Sequence, residues 1–106
     1  MKGVNKVKVF ISQPMRDRES EEIIAERKEI ERYLNIRYDN KVEVIDSYIT
    51  DFNEVHSNLP IVFVGIAVQK MADADLVVFA DNWQTARGCR VERKVAEEYG
   101  LEILDF

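Results

Sequence analysis

Residues 75 to 80 read DLVVFA, an apolar run unbroken after its first position. A strand with one wet face alternates apolar and polar side chains, so an unbroken run belongs to a sheet covered on both sides. VKVFIS, residues 7 to 12, has the same β-branched and aromatic character and ends at Gln13 and Pro14, which read as a turn. Segments with helical signatures separate the strand-like runs. From about Asp17 to Tyr38, Ile23, Ile30, Leu34 and roughly Arg37 follow helical spacing against a charged opposite side, with Asp17 or Ser20 as the expected N-cap. KVEVID, residues 41 to 46, predicts a second strand. Ser47 to Ser57 is mixed and mostly polar, a loop holding at most a helical turn.

Residues 59 to 73, LPIVFVGIAVQKMAD, contain the strand-like IVFV, but the run is long for a strand, Asn58 suits an N-cap and Pro60 suits a first helical turn. A helix is therefore predicted there. DLVVFA forms the third strand. After it comes a helix carrying Glu92, closed by Gly100 at the C′ position, and a last strand, LEILDF. The order β-α-β-α-β-α-β predicts an α/β fold: a small doubly wound parallel sheet of about four strands in a Rossmann-like or flavodoxin-like three-layer α/β/α arrangement. Residues 1–106 form one domain of this kind. Such sheets bind ligands beyond the carboxyl ends of their strands, where strand order reverses. Two loops are thereby singled out, SQPMRDR after strand one and DNWQTARG after strand three.

Composition narrows the chemistry available to those loops. Cys89 is the only cysteine and His56 the only histidine, so an internal disulfide is excluded, and zinc cages and histidine-based triads lack their residues. No metal or cofactor is expected. A net charge of −5 without a long basic block lacks the footprint of a nucleic-acid surface, leaving only local phosphate contacts. No apolar run is long enough to span a bilayer, and the N-terminal residues lack a signal-peptide pattern. A soluble, cytoplasmic protein is expected.

On a wheel of 100° per residue, Val91, Val95, Gly88, Tyr99, Ala96 and Cys89 share one apolar arc of the last helix. Arg90, Arg93, Lys94, Glu97 and Glu98 hold the opposite one. Glu92 falls inside the apolar arc, where an unpartnered charge is costly. It is either a structural carboxylate bonded to loop amides or to Arg16 or Arg87, or a group with chemical work. Gly88, one turn earlier, either opens space for a ligand or permits a close helix contact. Arg16 and Arg87 are suited to clamping a phosphate, or to surface ion pairs. Trp83 is either a stacking platform for a base or a hydrophobic lid. Asp81 and Asn82 suit sugar hydroxyls or a turn, and Ser12 and Gln13 at the end of strand one are similarly placed. Cys89 reads as core and His56 as exposed.

The segments VFISQPMRD, NLPIVFVG ending in KMADADLVVFA, and DNWQTARGCRVERKVAEEYG resemble a small group of bacterial and phage proteins related to the nucleoside 2-deoxyribosyltransferases. The likeness spans nearly the whole chain. It implies that Glu92 matches the glutamate that attacks the anomeric carbon of the sugar, and that Gly88 matches a glycine in the segment before it. It also implies a nucleotide-binding first loop, here Ser12, Gln13, Met15 and Arg16, and a homo-oligomer completing its pocket from a neighbour. The substrate implied is a nucleoside or nucleotide. Three positions depart from the enzymes: Phe10 stands at a family tyrosine, Ala86 at a transferase aspartate, and the helix before strand three lacks the family's sugar-holding aspartate. Two functions follow. One is an N-glycosidic-bond hydrolase or deoxyribosyltransferase with Glu92 as nucleophile; the other is a nucleotide-binding or regulatory module of the same fold without catalysis.

Overall fold

The computed structural model describes residues 6–46 and 58–106. The loop expected over 47–57, with His56, lies outside the described residues. Four parallel strands stand in the order β2-β1-β3-β4: β1 (Val7–Ser12), β2 (Val42–Val44), β3 (Leu76–Phe79) and β4 (Glu102–Asp105). Three helices connect them: α1 (Ser20–Arg37), α2 (Leu59–Met71) and α3 (Arg87–Glu98), with a 3₁₀ turn at Trp83–Thr85. The chain steps from β1 outward to β2, then returns past β1 to β3 and on to β4. Right-handed crossovers taken in opposite directions place helices on opposite faces, which makes the layers.

Side-chain alternation along the strands sorts the core into two halves. Val9 and Ile11 of β1, with Leu76 and Val78 of β3, pack under Ile30 and Leu34 of α1. Phe10, Val77 and Phe79 face the other way, against Ala67 and Met71 of α2 and Ala96 of α3. All four residues of β3 are buried, as the unbroken DLVVFA run requires of a strand covered on both faces. The three-layer α/β/α architecture is the one that the sequence predicts.

Several boundaries move. α1 begins at Ser20 with Glu19 as its N-cap, and no side chain caps it; Asp17 sits before it in a left-handed conformation, φ 62°. An N-cap needs extended backbone, which Asp17 at that φ cannot supply. Ile23 is only half-buried and Arg37 is exposed, so Ile30 and Leu34 alone seat this helix deeply. β2 is three residues where six were expected, because it pairs only with β1. α2 starts as predicted: Asn58 Oδ1 accepts from the Ile61 amide at 3.3 Å and Pro60 occupies the first turn. It ends two residues early, at Met71. Among the described residues no helix is long and apolar enough to cross a membrane.

α3 ends as its glycine demands. The Leu101 amide donates to the Ala96 carbonyl at 2.9 Å and the Gly100 amide to Glu97 at 3.4 Å, the paired bonds of a Schellman motif. Gly100 holds φ +71°, and a Cβ built on it would meet no atom within 4 Å. Gly100→Ala should therefore lose only backbone strain, about 1 kcal/mol of stability, read as a lower urea midpoint with an unchanged slope.

Candidate functional site

Reversal of strand order between β1 and β3 brings their carboxyl ends side by side. Ser12 pairs with Phe79, and the Ala80 amide donates to the Ser12 carbonyl at 2.9 Å. The pleat then sends consecutive side chains to opposite faces of the sheet. Ser12 turns toward α3, where its hydroxyl donates to Glu92 Oε1 at 2.6 Å. Gln13 turns toward α1. Its amide donates to Glu26 Oε1 at 2.9 Å and to the Ile23 carbonyl at 3.0 Å, while its oxygen accepts from Arg27 at 3.2 Å. Both residues are buried, Ser12 to 1% and Gln13 to 6% of full exposure.

Glu92 thus has an internal partner, but not one of the arginines considered from the sequence. Arg16 and Arg87 are exposed and make no ion pair among the described residues. Two other members of the apolar arc also stand apart from the core: Tyr99 is 81% exposed and Val91 40%. The arc is wider than the face α3 buries, so its margins stay in solvent while Cys89 and Ala96 go inside. Gly88 lies beside α2: a Cβ there would meet Val64 Cγ2 at 3.7 Å, ordinary contact. Close packing therefore does not require glycine at this position.

Burial pushes the Glu92 carboxyl above the usual carboxylate range, with the Ser12 bond pulling the other way. Burial pushes the neighbouring Cys89 thiol up to about 11, with Ser12 again opposing and the Glu92 and Glu26 charges adding to the rise. Cys89 is therefore a neutral thiol at physiological pH. A carboxyl whose folded pKa is raised contributes stability that is fully present below its unfolded value, about 4.3, and lost as pH rises through the folded one. Above that window the buried charge is a burden. Glu92→Gln, neutral and of the same shape, should accordingly raise the melting temperature at pH 7, and the gain should vanish as pH falls to about 3.5.

The two loops face each other across an open cleft of about 550 Å³. Arg16 and Arg18 come from the first loop, Glu22 and Glu26 from α1, and Asp81, Asn82 and Thr85 from the second. Arg18 is committed, at 3.0 Å from Glu26, 3.8 Å from Glu22 and 2.7 Å from the Pro14 carbonyl. Arg16 is left as a cation open to an anionic ligand, opposite the carboxylate and amide of Asp81 and Asn82. Met15, 43% exposed, lies beside Arg16 in the same loop. Asn82 adopts the left-handed conformation, φ 66°, and its carbonyl accepts from the Thr85 hydroxyl at 2.7 Å, so it shapes the turn as well. Ser12 and Glu92 do not line this cleft.

Trp83 faces a second, smaller cleft of about 410 Å³ at the ends of β3 and β4. Its ring lies 5.5 Å from that of Phe79, and the Arg93 guanidinium sits 4.6 Å from its centroid. Arg93 is in turn held by Asp105 and Glu97. Asp81 and Asn82 border both clefts. Among the described residues no group of three His, Cys, Asp or Glu side chains is arranged to hold a metal ion.

Sequence reasoning missed Arg18, Glu26 and Arg27, which hold the first loop onto α1, and Arg93, which holds Trp83. The spacing of Glu22 and Glu26 by four residues is a visible signal of a shared helical face, but Arg18 reaches them from the loop before α1. The Gln13–Glu26 and Arg93–Trp83 contacts have no such local signature.

No curated protein and no solved structure matches the chain. A family model described as a domain of unknown function, DUF4406, matches residues 8–105, from the second residue of β1 to the end of β4, strands, loops and Glu92 included. The protein belongs to the DUF4406 family.

Proposed function

We propose that the protein cleaves or exchanges the N-glycosidic bond of a nucleoside or nucleotide, with Glu92 as the nucleophile. The observation that carries this reading is a carboxylate set into the apolar arc of α3, anchored 2.6 Å from Ser12 at the point where the order of a parallel sheet reverses. A carboxylate in such a place can trap the anomeric carbon as the C–N bond breaks, the base leaving with the bonding electrons and gaining a proton. Water or a second base then attacks the same carbon and releases the carboxylate. Low polarity around the group strengthens its stabilisation of a cationic transition state. The resemblance to nucleoside 2-deoxyribosyltransferases supports the same chemistry, and the unpaired Arg16 suits a 5′-phosphate.

A second reading, nucleotide binding without catalysis, is favoured by one feature: Ser12 and Glu92 do not line the cleft that holds Arg16. Incubation with a panel of deoxynucleosides and their monophosphates, read by chromatography for free base, separates the two. Base release rejects the binding reading. Calorimetric binding without base release rejects the catalytic one, and neither signal rejects both.

We also propose a homo-oligomer. Trp83 packs within its own chain and does not argue for one, but Ile61 of α2 and Tyr99 after α3 are 66% and 81% exposed and offer apolar surface. Sedimentation mass decides this.

A further inference from the structure

We infer that Ser12 is a positioning residue, whose hydroxyl holds and orients the Glu92 carboxylate in place of a cation. The inference rests on the reading of Glu92 as the reactive group. Ser12 is 1% exposed, so its hydroxyl faces the protein interior rather than a ligand in the cleft. Its hydroxyl also faces the Cys89 thiol, but its short bond goes to Glu92 at 2.6 Å, within the range of an O–H bonded to a charged oxygen. Its backbone is fixed by the parallel register with Phe79 and by the Ala80 amide, so the donor is aimed by the sheet rather than by a mobile loop.

Among the described residues no other group bonded to Glu92 does this work. Cys89, on the same helix, is a buried neutral thiol. Glu26, from α1, is occupied by Arg18 and Gln13. Arg16 and Arg87 are exposed and unpaired among the described residues. A hydroxyl donor orients a carboxylate and favours its charged form without neutralising it. A cation would do the last as well, and would dull the carboxylate toward a positively charged sugar carbon.

The test follows the Glu92 carboxyl directly, by carbon NMR titration of protein labelled at the glutamate carboxyl, in the parent, Ser12→Ala and Ser12→Thr. The midpoint should rise in Ser12→Ala and return toward the parent in Ser12→Thr, which restores the hydroxyl. An unchanged midpoint in folded Ser12→Ala overturns the inference. Ser12→Cys, of similar size and a weak donor, carries the same two outcomes should the alanine variant fail to fold. With a substrate that releases base, Ser12→Ala should lower kcat by roughly 10- to 100-fold at unchanged KM. A raised KM with kcat preserved would place Ser12 on the substrate and overturn it. If the parent releases no base, the glycosidic reading fails while the titration still decides the role of Ser12.

Discussion

Glu92→Gln is expected to lower release of free base by at least about a thousandfold in a protein that stays folded. The amide preserves the shape of the side chain and accepts from the Ser12 hydroxyl, but without the negative charge its oxygen is a far weaker nucleophile toward the anomeric carbon. A thousandfold corresponds to about 4 kcal/mol of lost transition-state stabilisation. The same substitution removes a buried charge whose pKa is raised by burial, so stability at pH 7 should rise as activity falls. The stability gain follows from burial alone, so the loss of turnover is what identifies Glu92 as the nucleophile, and the gain shows that the loss is not caused by unfolding. Chromatographic assay at saturating substrate, together with thermal unfolding of the same sample, measures both. Retention of more than a tenth of parental turnover would exclude Glu92 as nucleophile.

The strands, helices and layers were legible because they follow from short-range pattern: DLVVFA needs two covered faces, and the positive φ that closes α3 favours a glycine, supplied by Gly100. Topology then singled out the candidate site. Strand order brings Ser12 beside Phe79 and so sets the two loops against each other. Pattern could not supply the partner of Glu92. The wheel isolates its carboxylate from the other charges of α3, yet Ser12 lies 80 residues away in sequence, and which side chain at the end of β1 faces α3 depends on the strand register. A one-residue slip would have presented Gln13 instead. The same limit applies to Trp83. A lone loop tryptophan is compatible with stacking a base, and only the placement of Arg93 at 4.6 Å reveals what covers the ring. Tyr99 and Val91 mark a different limit, since an apolar arc on a wheel does not say how much of itself a neighbouring sheet will cover.

Phe79→Ala is expected to destabilise the protein by about 3–5 kcal/mol and to loosen the loop that carries Trp83. Phe79 is fully buried in the half of the core that α2 and α3 cover, alongside Phe10, Val77, Met71 and Ala96. Truncation removes the ring from water-free surroundings and leaves a cavity that the strand, paired on both sides, cannot collapse. Domains of this size hold roughly 5–15 kcal/mol in total, so the loss is a large share of what keeps the protein folded. It also reaches the site. The Phe79 ring lies 5.5 Å from Trp83 and 5.0 Å from the Arg93 guanidinium, and Phe79 is the register partner of Ser12. Because Trp83 is the only tryptophan, its fluorescence reports this loop alone. Emission should shift to the red in Phe79→Ala under conditions where circular dichroism shows the helices intact, and urea unfolding should show the lowered midpoint. Phe79→Leu, which fills most of the cavity, should recover most of the stability. If its emission stays red-shifted, the aromatic contact itself seats Trp83; if emission returns to the parental value, filling the volume under the loop is sufficient. Either way the residue that stabilises the sheet also fixes the rim of the cleft, and this coupling distinguishes it from Glu92, whose replacement should remove activity while leaving the core untouched.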